Sequence, residues 1–254
     1  MLKLIKYEMR KNVTAFVTLY GILIGLETVF VLGCYLDNTD LIVMAIGCLV
    51  ATSLTCYYIF YIFGISSYSK ELKTKTGYLT FMIPVSSHQI LWSKLLSTII
   101  ASTVYMALVV GFGFVDMAIM ENKYSETKLM ESVLEMVLEK ADMSVAEVGM
   151  AMLVYIVAMI IEFLSIVGIA YLAMTLSATL FQNNKGKSVL SFVLFVVFIY
   201  AMGWLMEVIP DLSISSEGLY APFIEKIPTF GANIVILIVT VFASAKLLDK
   251  KVSL

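Results

Sequence analysis

The sequence predicts an all-α integral membrane protein with six transmembrane helices. Three observations carry this reading: an apolar composition, six apolar stretches of spanning length, and a side-to-side alternation of Lys and Arg. Apolar residues make up 61% of the 254 residues and charged residues 14%, with a mean hydropathy of +0.96. A soluble domain carries more charge, about 25%. A span needs about 20 mostly apolar residues, because the hydrocarbon core offers no water to satisfy exposed backbone groups. Six stretches qualify: 13–36, 41–65, 95–120, 150–180, 189–209 and 230–245. Together they form one transmembrane domain covering 1–254. The fourth is longer than one crossing and is expected to project from the lipid at one end.

Lys and Arg favour short cytoplasmic loops. The segment before span 1, the loops after spans 2 and 4, and the segment after span 6 hold four, four, two and three of the 17 Lys and Arg residues. The opposite loops hold none, three and one. A missed or invented span would scramble this alternation, so it supports six spans and places both termini in the cytoplasm. The basic start is followed by an apolar segment too long for a cleavable signal peptide, without a small-residue cleavage site before Asp37.

Each element follows from its local pattern. In residues 2–11, Leu2, Ile5 and Met9 share one helical face and Lys3, Lys6 and Arg10 the opposite one. This spacing predicts a short interfacial helix, apolar side toward lipid and basic side toward anionic head groups. Cys34, Cys48 and Cys56 lie in or beside spans 1 and 2. An odd number in such positions predicts free thiols packed as small side chains, not a disulfide frame or metal site. Gly21 and Gly25 form a GxxxG spacing that would let another helix approach, within the chain or from a second copy. Residues 121–147 form an external acidic loop whose Met130, Val133, Leu134, Val137 and Leu138 make an apolar helical stripe, predicting an external amphipathic helix. Between spans 5 and 6, Pro210, Pro222 and Pro228 break the chain among Leu219, Tyr220 and Phe223.

The loop 66–93 is the most informative segment. It is predicted to be cytoplasmic and is charged at Lys70, Glu71, Lys73 and Lys75. After Gly77 comes an apolar cluster of Tyr78, Leu79, Phe81, Met82 and Ile83, which Pro84 ends. Ser86 and Gln89 fit a capping box, in which side chains satisfy free N–H groups at a helix start. Trp92 and Lys94 fall where span 3 should meet the head groups. Large apolar residues in an aqueous loop need a partner surface, as when a helix docks into a groove of another protein.

Catalysis is not expected. His88 is the only histidine, so no His pair holds zinc and no HExxH is present. Gly186-Lys187-Ser188 suggests a phosphate loop, but the required first Gly falls at Phe181 and no strand precedes it. It reads as a turn between spans 4 and 5. Asn12-Val13-Thr14 is a glycosylation spacing on the cytoplasmic side. Cofactors and nucleic acid are not implied. Acids inside spans are costly, roughly 3 kcal/mol on insertion scales, and face the bundle interior, pair or protonate. Glu27 and Glu162 lie well inside theirs and are the candidates for a translocation path, with a protonated packing group as the alternative. Asp116 and Glu207 lie near the outer ends.

At loop 66–93 the chain resembles permease subunits of ABC-2 type ATP-driven transporters. The matching residues are Glu71, Gly77-Tyr78-Leu79-Thr80, Pro84-Val85-Ser86 and Ser93-Lys94-Leu95-Leu96. Lys70-Glu71 stands where the family has an Arg-Glu pair, and Ser87 where it has Arg. The resemblance implies an elbow helix, six spans, a broken outer segment between spans 5 and 6, and a coupling loop docking on a separate ATPase. The ATPase-coupling residues are then Glu71, Gly77, Tyr78, Leu79, Phe81, Met82 and Pro84. It also implies a second permease chain, identical or paralogous, a cell-membrane location, and export of a peptide, drug or lipid-like substrate. A rival from another class is an ion- or proton-coupled secondary carrier using Glu27 and Glu162. That design predicts inverted repeats and discontinuous helices, for which the sequence gives no sign.

Overall fold

The computed structural model describes residues 1–73, 85–123, 145–180, 184–209 and 226–251. Among these residues there are seven α-helices and no strands: α1 (Leu2–Lys11), α2 (Val13–Tyr35), α3 (Thr39–Lys73), α4 (Ser87–Lys123), α5 (Val145–Leu180), α6 (Asn184–Val208) and α7 (Ile227–Lys251). Helices α2 to α7 each contain a segment long and apolar enough to cross a membrane. This is the predicted all-α membrane architecture, with each of the six expected spans on its own helix. The expected external helix at 130–138 and the segment around Pro210 and Pro222 lie outside the described residues.

Helix α1 exposes Lys3, Lys6 and Arg10, as its periodicity predicts, and Lys11 as well. Its inner face is set differently: Leu4, Ile5 and Met9 are partly buried, Glu8 is 3% exposed, and Leu2 is 83% exposed. Glu8 lies three and four residues after Ile5 and Leu4, so helical spacing carries it to their side.

The chain divides into two compact units, Lys6–Phe63 with Ser97–Met143, and Met1–Ile5 with Gly64–Leu96 and Ser144–Leu254. In the first, α2 buries Phe16, Leu19, Leu23, Glu27, Phe30, Gly33 and Cys34. Their spacing of three and four is the period of one helix face. Phe16, Leu19 and Leu23 pack with Cys56 and Phe60 of α3 and Ala101 and Tyr105 of α4. The Phe60 ring lies 5.4 Å from Phe16 and 5.3 Å from Tyr105, inside the range of favourable aromatic pairs. Tyr20 donates from its hydroxyl to the Ala101 carbonyl at 2.9 Å.

The α2–α3 turn is fixed by backbone chemistry. Asp37 sits at φ 53°. The Asn38 N–H donates to the Gly33 carbonyl at 3.1 Å and the Asp37 N–H to the Cys34 carbonyl at 3.4 Å. This pair of bonds is the Schellman closure, with Asp37 as the left-handed residue. Asn38 then starts α3: its Oδ1 accepts from the Leu41 N–H at 3.2 Å. Lys123, at the end of α4, donates to the Cys34 carbonyl and pairs with Asp37 at 2.7 Å. A cation thus meets the free carbonyl end of α2, where the helix dipole favours it.

In the second unit, α5 packs against α6 and α7. A Cβ on Gly168 would stand 2.5 Å from Thr240 Oγ1, so the helices meet at a point that admits no side chain. Thr240, Ser244, Ala245, Ser165 and Ala173 are all buried in this unit. Small residues let backbones approach, and their hydroxyls satisfy themselves locally: Thr240 and Ser244 donate back to the Ile236 and Thr240 carbonyls at 2.7 and 2.6 Å. The expected GxxxG contact is not formed among the described residues, since a Cβ at Gly21 or Gly25 would meet nothing within 4 Å. All three cysteines are free thiols, with Cys34 and Cys56 buried and Cys48 exposed.

Candidate functional site

The richest polar cluster lies where α3 ends and α4 begins, at the borders of the segment 74–84. Helix α3 runs 35 residues, about 52 Å at 1.5 Å per residue, well beyond a hydrocarbon core of about 30 Å. Its last turns therefore carry Ser67, Tyr68, Lys70, Glu71 and Lys73 past the apolar run. Helix α4 starts at Ser87, and the Ser86 carbonyl accepts from the Gln89 and Ile90 N–H groups at 2.9 and 3.3 Å.

Glu71 and Lys94 form an ion pair at 2.8 Å, with side chains 4% and 1% exposed. Lys94 is therefore not the head-group anchor expected from sequence. Burying an ammonium requires a counter-charge, and Glu71, on α3, supplies it. One turn before Glu71, the buried Tyr68 ring stacks on Tyr171 of α5 with centroids 4.5 Å apart. Its hydroxyl meets Thr175 Oγ1 at 2.6 Å. Thr175 spends its only hydrogen on the Tyr171 carbonyl at 2.7 Å, so Tyr68 is the donor between them.

Three contacts surround this centre. Ser87 donates to Asp249 Oδ1 of α7, placing an acid at the N-terminus of a helix that has none in its own first turn. His88 stacks on Phe242 of α7 at 4.9 Å. Lys73 donates to Ser188 Oγ at the start of α6 at 2.7 Å, and with Lys187 it lines a small recess edged by Ser69, Ser177 and Ser191. The helix ends flanking residues 74–84 are thus tied to one another and to α5, α6 and α7.

Of the expected coupling residues, Glu71 is in this cluster as a buried partner of Lys94, not as a surface charge. Gly77, Tyr78, Leu79, Phe81, Met82 and Pro84 lie outside the described residues. The other expected acids separate. Glu162 is exposed on α5, with its carbonyl accepting from Ser165 Oγ at 2.7 Å. Glu27 is buried on α2, and its carboxyl lies within hydrogen-bonding reach of the Asp116 carboxyl on α4. Asp116 was expected near the water, yet it is half-buried on the inward stripe of α4 with Phe112, Ile119 and Met120. The register was readable, since Phe112, Asp116 and Met120 repeat every fourth residue. The partner on another helix was not. No group of three or more metal-ligating side chains occurs among the described residues.

The fold and these clusters define an all-α protein with six helices able to span a membrane. Comparison with protein-family models, curated proteins and solved structures returned no match.

Proposed function

We propose that this chain is the membrane-spanning permease subunit of an ABC-2 type ATP-driven transporter. It works in the cell membrane with both termini in the cytoplasm, and a separate ATPase docks on loop 66–93. A second permease chain, identical or paralogous, completes the pathway. The cargo class is a peptide, drug or lipid-like molecule. The observation that carries the reading is the loop itself: an apolar Tyr78, Leu79, Phe81, Met82 cluster between Gly77 and Pro84, in a sequence pattern resembling the family's coupling segment. The buried Glu71–Lys94 pair supports it. A loop that transmits force needs anchored ends, and this pair ties the helix entering the loop to the helix leaving it.

Burying one such side chain at an interface contributes about 1.5–3 kcal/mol, and a few anchors dominate most interfaces. Leu79→Asp with Phe81→Asp is therefore expected to release the ATPase and abolish ATP-dependent transport while the chain still inserts. Copurification of the double variant with its ATPase, together with normal transport, would remove the basis for this function.

A further inference from the structure

Around the middle of α2, its inward stripe of Leu23 and Phe30 and the α4 stripe of Phe112, Ile119 and Met120 are interrupted by two acids. There Glu27, 7% exposed and the fifteenth of 23 residues in α2, faces Asp116. Both Glu27 oxygens and Asp116 Oδ1 are buried and receive no hydrogen bond. As carboxylates, the two groups have four oxygens and no hydrogen between them, so contact brings only repulsion in a medium that screens it weakly. One proton converts that repulsion into an O–H···O bond, strengthened because its acceptor is charged.

Among the described residues no hydrogen bond reaches the Glu27 oxygens or Asp116 Oδ1 from another group. Along α2 the nearest titratable side chains are Tyr20, whose hydroxyl hydrogen goes to the Ala101 carbonyl at 2.9 Å, and Cys34, with Asp37 beyond in the turn. On α4 the titratable residues that follow Asp116 are Glu121, an acid five residues on, and Lys123, which is held by Asp37 at 2.7 Å and by the Cys34 carbonyl. From α3, Ile42, Ala45 and Leu49 pack beside Phe30, Ile119 and Met120 and do not titrate, while Cys56 packs farther along with Leu19, Leu23 and Tyr105.

We propose that Glu27 and Asp116 form a binding site for a single proton within the membrane-spanning region. The two carboxyls share one hydrogen, one donating it to the other, whose carboxylate keeps the remaining charge. The proton arrives from water and leaves to water, changing the charge of the pair by one. Its departure sets two carboxylates against each other across the α2–α4 contact, so occupancy of the site and closeness of the two helices are linked. This inference stands on the chain alone and does not rest on the transporter reading.

The test is infrared spectroscopy of the full chain in lipid nanodiscs, without any ATPase. In neutral buffer the wild type is expected to show a protonated-carboxyl C=O band that shifts in heavy water and is lost in strongly alkaline buffer. Glu27→Gln and Asp116→Asn, each alone, should shift or abolish that band, because the two groups share it. Absence of the band in the wild type, or its persistence unchanged in both variants, overturns the proposal. The wild-type arm decides the matter even if a variant does not fold. A sodium arm separates the other occupant: replacing choline by sodium should leave the wild-type melting temperature unchanged. A rise in wild type that Glu27→Gln abolishes would make this a metal-cation site and also sink the proposal.

Discussion

Lys94 Nζ lies 2.8 Å from Glu71 Oε2, and neither side chain retains more than 4% of its exposure. Removing one member of a buried ion pair leaves an uncompensated charge, which costs about 3–5 kcal/mol. Glu71→Gln and Lys94→Met are each expected to destabilise the purified protein by about that amount. The double variant should cost much less than the sum. Denaturant titration of the four proteins in detergent measures the coupling. Additive single losses would show that the two charges are satisfied independently.

A neighbouring bond gives a second test. Thr175→Val leaves the buried Tyr68 hydroxyl without its acceptor, an expected loss of about 1–3 kcal/mol. Tyr68→Phe removes the stranded group, so Tyr68→Phe with Thr175→Val should recover most of that loss. Equal stability of the Thr175→Val protein and the wild type would mean that Tyr68 finds another acceptor.

The α5–α7 contact tests helix packing. Gly168→Ala drives a methyl into Thr240 Oγ1, which holds two carbonyls of its own turn and turns away only by releasing them. An overpacked site of this kind costs about 1–3 kcal/mol. Thr240→Ala in the same chain should relieve the clash. Melting curves of the single and double variants report it, and an unchanged Gly168→Ala protein would show that the helices part at no cost.

Much of this fold was legible in the sequence because one physical demand dominates it. Hydrocarbon requires continuous helix, so long apolar runs fixed the existence and order of six helices. Ends were legible only where a start signal marked them: α4 begins at Ser87, as the Ser86–Gln89 capping box predicted, whereas α3 continues to Lys73, beyond the predicted span limit of 65. Hydropathy falls there while helical hydrogen bonding does not. Pairing between distant elements was illegible. Glu71 with Lys94, Glu27 with Asp116, and Gly168 with Thr240 depend on which faces meet, and a single sequence does not encode that in any local pattern. The GxxxG at Gly21 and Gly25 drew attention by spacing alone, whereas the close approach falls at Gly168.

Orientation is tested by labelling. In a background lacking Cys34, Cys48 and Cys56, single cysteines at Lys75 and Lys187 are expected to react with impermeant reagents only from the cytoplasmic side, and those at Glu135 and Glu217 only from outside. Reaction of position 75 from outside would invert the topology and detach loop 66–93 from any cytoplasmic ATPase.

Helix α6 has no buried residue within its spanning segment of 23 residues, from Gly186 to Val208. Most of its surface, including Phe192, Val196, Tyr200 and Trp204, is left for whatever surrounds the chain. At about 34 Å it slightly exceeds a hydrocarbon thickness of about 30 Å, so it must lean or stretch its surroundings to fit. Thinner or thicker bilayers should therefore change its tilt more than that of α5, which is gripped by its neighbours. Of these two helices, α6 is then the one more responsive to lipid length.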